Sequence, residues 1–310
     1  MGGTMATRLI HVACLIAGLL LAGCKPKPQT HIDWQSFSGK RAYEHVERLV
    51  AYGPRPSASP ALIRTATYLA TQMQEHGLDT EEQVFVAPTP RGPMQFRNVI
   101  GKTRARGARN ERVIIVGSHY DTKFFPNIQF VGANDGASST AVLLEMARVA
   151  SNAPNLWFVF FDGEECLKEY GENDGLWGST YFVEALKSRK MLDRIQAMIL
   201  LDMVGDRDLT ITMPSNCDRD LVQRVFDAAK RTGYRQYFSF SQTPILDDHY
   251  PFRNARIPAV NIIDFHYGSA PGLNDYWHTE KDTLDKISPR SLEIVGQTTL
   301  ALLDSLIKDR

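Results

Sequence analysis

Four short apolar runs, "RVIIVGSHYD", "LWFVFFDGEE", "AMILLDMVGD" and "IPAVNIIDF", set the tightest limit on how this chain can fold. Each is a continuous β-branched or aromatic segment that ends in polar residues. Amphipathic stretches lie between them, over residues 137–150, where Ala141, Leu144, Ala147 and Arg148 mark the faces, and over 218–232. Continuous apolar strands alternating with helices need cover on both faces, which predicts an α/β domain with a mostly parallel mixed β-sheet and helices on both sides. Two β-rich runs, "EEQVFVA" and "FRNVIGK", precede this pattern. Helical periodicity comes earlier still, over about 33–52 and 59–76, the second segment following Pro60 and stopping at Gly77.

In sheets of this kind, ligands bind beyond the carboxyl ends of the strands. His119 and Asp121, Asp162 through Glu165, and Asp202 all fall there, so one end of the sheet gathers them. The adjacent Glu164 and Glu165 are the costliest feature, because paired like charges beside an apolar wall need a cation or a shared proton. His119, Asp135, Glu165, Asp202 and His278 are the candidate ligands for that cation. Imidazole nitrogen with carboxylate oxygen and no cysteine suits a catalytic zinc ion with one position open to substrate. Taken singly, Asp135 has an ordinary reading as a helix N-cap, His278 as a surface histidine and Asp202 as a strand-end turn residue. Successive side chains diverge at a strand end, so Glu165 is assigned to the metal and Glu164 to acid/base work.

The remaining chain carries few other signals. Basic and acidic residues balance at 35 each, which gives no net field for nucleic acid or other polyanions. No linker, charge block or repeat divides the sequence after residue 35, so residues 36–310 read as one catalytic domain. Residues 1–23 read as a secretory signal with an apolar run from Leu9 to Ala22, too short for a comfortable membrane span, and 24–35 as a Lys/Pro-rich tether. Leu21-Ala22-Gly23-Cys24 resembles the bacterial lipobox, which implies lipidation of Cys24, export and anchoring to the cell envelope. Lys25 and Pro26 in place of aspartate lean that placement toward the outer membrane and the periplasmic side. Cys166 and Cys217 are then the remaining thiols, and their pairing is open at this stage.

The segments "SHYDTKFF", "FVGANDGASS", "FFDGEE…LWGS", "LLDMVGD", "LDDHYPF" and "WHTEKDT" resemble the zinc aminopeptidase superfamily and, within it, the glutaminyl-peptide cyclotransferases (glutaminyl cyclases), from about Tyr43 to the C-terminus. The resemblance implies one zinc on Asp135, Glu165 and His278 in a cyclase, or two zincs bridged by Asp135, with His119 and Asp202 added, in an aminopeptidase. Asp247-Asp248 before His249, Trp277 before the zinc histidine, and "DTKFF" followed by "FVGA" resemble the cyclase form. Paired cysteines of the animal cyclases are Ser118 and Thr140 here, a pocket tryptophan is Tyr170, and a histidine is Asn261. The segment "DFHYGSAPGLNDY" is also longer. By this resemblance the substrate is a peptide or protein with N-terminal glutamine, Glu164 moves the proton, Asp247 orients the intermediate, and Trp277 and Tyr170 line the pocket. The alternatives are a dinuclear aminopeptidase and an inactive binding lipoprotein.

Overall fold

Alternate residues of each central strand are buried against opposite sets of helices. The computed structural model describes residues 1–2, 31–103, 112–171 and 174–309. Residues 3–30, with the rest of the expected secretory signal, the lipobox-like Cys24 and the start of the tether, lie outside the described residues. Eight strands are described, β1 (Asp79–Ala87), β2 (Met94–Lys102), β3 (Val113–His119), β4 (Leu156–Phe161), β5 (Ile195–Asp202), β6 (Ile211–Met213), β7 (Phe238–Phe240) and β8 (Ala259–Ile263). The helices are α1 (Gly39–Val50), α2 (Pro60–Glu75), α3 (Ala137–Val149), α4 (Trp177–Ser188), α5 (Arg219–Thr232), α6 (His249–Asn254) and α7 (Pro289–Lys308).

A six-stranded sheet runs in the order β1-β2-β4-β3-β5-β8, with β4, β3, β5 and β8 parallel and the β1/β2 and β2/β4 pairs antiparallel. The two early β-rich runs thus form the antiparallel edge of the predicted mixed sheet. Ile114 and Val116 of β3 belong to the core cluster that α1, α2, α3, α5 and α7 share, whereas Val113 and Ile115 belong to the one that α4 and α6 share. Burial on both faces is why these strands read as unbroken apolar runs. Each fully buried aliphatic side chain contributes roughly 1.5–3 kcal/mol.

Local signals end the helices where chain chemistry demands. Ser59 accepts from the Leu62 amide with Pro60 in the first turn of α2, and Asp218 accepts from the Asp220 and Leu221 amides to start α5. The expected helix over 33–52 is divided instead: a single 3-10 turn spans Trp34–Ser36, and Ser38 then caps α1 through the Arg41 amide. Cys166 and Cys217 are both buried free thiols.

Candidate active site

Register brings the site together. Gly117 of β3 pairs with Leu200 of β5, so His119 and Asp202, two residues further on, leave the sheet side by side. His119 Nε2 lies 3.1 Å from Asp202 Oδ1 and 3.2 Å from Asp135 Oδ1. His278 Nε2 lies 3.1 Å from Glu165 Oε1 and 3.3 Å from Asp135 Oδ2. The five sequence-predicted ligands therefore form two groups that share Asp135, one of His119, Asp135 and Asp202 and one of Asp135, Glu165 and His278. Asp135 is not the helix cap of its ordinary reading: α3 is capped by Gly136 without a side-chain hydrogen bond, and both Asp135 oxygens face histidines.

Backbone shape is fixed around these side chains. Gly136 has φ +89°, and a Cβ there would stand 2.6 Å from the Asp121 carbonyl oxygen, so the turn after Asp135 demands glycine. Asp121 accepts from the Glu164 amide through Oδ1 and from the Glu165 amide through Oδ2, both at 3.2 Å, which fixes the turn that separates the two glutamates. Asp282 accepts from the Asn134 and Asp135 amides and from the Tyr267 hydroxyl, tying the Asp135 loop to the turn that carries His278. His278 itself has φ +56°, a left-handed conformation uncommon outside glycine, though histidine adopts it more often than most side chains. It is held by the stacked Trp277 ring at 3.9 Å and by the edges of Phe125 and Phe130.

Behind the site Arg55 is fully buried and donates to the carbonyl oxygens of Leu49, Gly53, Tyr120, Val131 and Gly132. It clamps the chain on either side of the ligand loops. Ser118 and Thr140 are 3.3 Å apart at their hydroxyl oxygens, and Ser118 also donates to Ser139. Sequence reasoning had passed over Arg55, Asp282 and Lys123, whose ammonium lies 3.7 Å from Glu165 Oε2 and donates to the Cys166 carbonyl.

A pocket of about 430 Å³ opens on Asp135, Glu165 and His278 and is lined also by Glu164, Tyr170, Asp247 and Trp277. The Tyr170 hydroxyl donates to Glu164 Oε2 at 2.9 Å and to Glu165 Oε2 at 3.3 Å. Asp247 is buried, with Oδ1 accepting from the Asp248 amide and Oδ2 from the Asn261 side chain at 2.7 Å. Burial pushes the Glu164 and Asp247 carboxyls well above the usual carboxylate range, reinforced by Asp247, Glu165 and Asp248 around the former and by Asp202 and Asp248 around the latter. Burial also raises Glu165 and Asp202, against the pull of His278 and His119 respectively. Asp135 goes the other way, because hydrogen bonds to His119 and His278 outweigh its burial. Burial alone would lower both histidines, but carboxylate partners raise His278 to about 9 and His119 well above its ordinary value.

This is a concentration of buried negative charge short of cations, and a divalent ion would supply the deficit. The donors fit one. Ligand atoms about 2.0–2.1 Å from a tetrahedral zinc stand roughly 3.3 Å apart, as the nitrogen-to-oxygen separations in both groups do. Among the described residues, buried Asp135 Oδ2 faces only the His278 ring nitrogen, at 3.3 Å and outside good hydrogen-bond geometry. The site thus has the character of a metal centre.

Comparison with known proteins agrees with this geometry. Residues 98–303 match the model of peptidase family M28. A glutaminyl cyclase of known structure from an Acidobacteriales bacterium is 34% identical with a TM-score of 0.81, the alignment covering 88% of this chain and 96% of that one. A mouse glutaminyl-peptide cyclotransferase-like protein is 29% identical over 80% of this chain and 71% of its own length. A structure described as a leucine aminopeptidase precursor from Bacteroides thetaiotaomicron is 28% identical with a TM-score of 0.77, covering 87% and 98% of the two chains. The chain belongs to peptidase family M28 and, within it, to the glutaminyl cyclase branch of the zinc aminopeptidase-like enzymes.

Proposed function

We propose that this enzyme converts the N-terminal glutamine of peptides or proteins to pyroglutamate with loss of ammonia, and that zinc is its metal. The observation that carries the reading is Asp247, a buried carboxyl group in the wall of the same pocket as Glu164 and the Asp135/Glu165/His278 group. Asp135, Glu165 and His278 would hold the ion, which when bound supplies Lewis-acid polarisation of the γ-amide carbonyl. Glu164, with its raised proton affinity, accepts a proton from the attacking α-amine and returns it to the departing amide nitrogen. One C–N bond forms and one breaks, the shuttled proton leaves in ammonia, and no water is consumed. Tyr170 fixes the Glu164 carboxyl by its hydrogen bond, and Asp247, held by Asn261, orients the amide. Trp277 walls the pocket beside His278. Because nucleophile and electrophile belong to one residue, orientation supplies much of the acceleration.

A second reading, a dinuclear aminopeptidase, is favoured by the group of His119, Asp135 and Asp202 and by the likeness to the aminopeptidase precursor. Incubation with a Gln-initiated peptide separates the two. Ammonia with a pyroglutamyl product is expected, whereas a free amino acid would overturn the cyclase reading.

Export and lipid anchoring through Cys24 belong to the same proposal, supported by the apolar run and lipobox-like segment. Among the described residues no helix is long and apolar enough to cross a membrane. Cys24→Ser is expected to move the protein from the membrane to the soluble fraction in its host, and unchanged fractionation would refute the anchor.

A further inference from the structure

A second concavity, of about 940 Å³, lies between α4 and α6 and reaches the end of β1. Its lining includes Phe85, Trp177, Tyr181, Leu246 and Tyr250. Tyr181, Leu246 and Tyr250 are 41%, 41% and 40% exposed, which makes a clustered apolar surface of a kind that usually has an occupant. The floor is rigid. Tyr181 stacks on Phe85 at 4.0 Å, Phe85 on Phe96 at 5.6 Å and Phe96 on Trp177 at 4.9 Å, while the Trp177 indole donates to the Pro88 carbonyl.

The groove borders the catalytic pocket. Leu246 lines both, and the residue after it is Asp247. Both bounding helices begin beside the site, since the Trp177 amide donates to the Gly163 carbonyl just before Glu164, and α6 follows Asp247-Asp248 directly. From there the groove runs toward Glu184, Lys187 and Arg256 near the carboxyl ends of α4 and α6.

We propose that this groove binds the polypeptide that follows the N-terminal glutamine and selects substrates with apolar side chains a few residues in, an inference that rests on the cyclase reading above. The twelve residues of α4 span roughly 18 Å, which matches about five extended residues. A chain whose first residue occupies the catalytic pocket passes Leu246 and lays its apolar side chains on the aromatic floor. A second copy of this protein seated there would stand across that passage, which argues for substrate as the occupant.

The test compares three Gln-initiated peptides: the dipeptide Gln-Gly, Gln-Gly-Ala-Phe-Leu-Phe, and Gln-Gly-Ala-Ser-Asn-Ser. The apolar hexapeptide is expected to have a KM about tenfold below the polar one at similar kcat. Thr180→Arg, which fills the groove from the exposed face of α4, and Tyr250→Ser should each remove that advantage and leave Gln-Gly turnover unchanged. Thermal melting identifies a variant that fails to fold, in which case the other is read. Equal KM values for the two hexapeptides, or an advantage that survives both substitutions, would overturn the proposal. If no glutamine peptide is cyclised, the catalytic reading has failed, and binding of the N-acetylated apolar hexapeptide, followed by tryptophan fluorescence, decides the groove. Binding by the unmodified protein that Thr180→Arg abolishes sustains it, and no binding overturns it. A dimer in light scattering that Thr180→Arg splits would assign the groove to a second copy and also overturn it.

Discussion

The two ligand groups that share Asp135 have nearly the same internal distances and different surroundings. In the inner group the His119 side chain is 1% exposed and faces a third carboxylate, Asp121, whose Oδ1 lies 3.6 Å from Nδ1. In the outer group the His278 side chain is 14% exposed and lies on the pocket wall, with an indole ring against one face. The inner group sets three carboxylates around one histidine and is closed to solvent. The outer group opens into the pocket. Similar donor geometry therefore does not imply equal function, and we assign the working metal to the outer group.

Substitution of each histidine tests that difference most severely. His278→Ala is expected to lose both bound zinc and measurable turnover, because two carboxylates are left as ligands. His119→Ala should retain zinc and lose about 10–100-fold in metal affinity or activity, the range of groups that support ligands without being ligands. Elemental analysis of the two variants beside the unmodified protein checks both statements. Two metals in the unmodified protein, with equal losses in the variants, would break the comparison and favour the aminopeptidase reading.

Within the outer site, Glu164→Gln should keep the metal and lose about 10²–10⁴-fold in kcat, since the amide preserves shape and cannot carry the proton. A variant with near-normal kcat would return Glu164 to a structural role. Retention of zinc in the same sample separates its work from that of the adjacent Glu165.

What was legible in the sequence follows from the same contrast between exposed pattern and buried context. The parallel strands announced themselves because both their faces are buried, and the ligands because they sit at successive strand ends. Helix α7 gave no comparable stripe: Leu292, Val295, Thr298, Leu302 and Asp304 are all buried, so apolar periodicity is diluted around the helix. β6 and β7, three residues each, are too short to carry a period, yet Thr212 and the nearby Ser241 line the pocket. Arg55 was illegible for another reason. The partners named above are backbone carbonyls that converge through the fold, and a lone arginine between two prolines signals none of them.

The smallest expected effect concerns two buried carboxyls outside both ligand groups, Asp264 and Asp206, which act as a control for those within them. Asp264 is buried and accepts from the Thr210 and His266 amides, and burial raises it to about 7; Asp206 is raised to about 6, again chiefly by burial. In the unfolded chain both return to the ordinary aspartate value near 3.9. Between about pH 4 and pH 7 the folded state therefore holds more protons than the unfolded state, and stability falls as pH rises. Zinc held by Asp135, Glu165 and His278 would leave this contribution intact and remove that of the raised Glu165. The predicted outcome is that zinc-loaded protein has the higher Tm and the shallower decline of Tm from pH 4 to pH 7, with a residual slope that Asp264→Asn reduces by roughly a few degrees across the window. Parallel Tm profiles with and without zinc would mean that the metal does not meet the carboxylate cluster. A residual slope indifferent to Asp264→Asn would remove the control and leave the decline to the site itself.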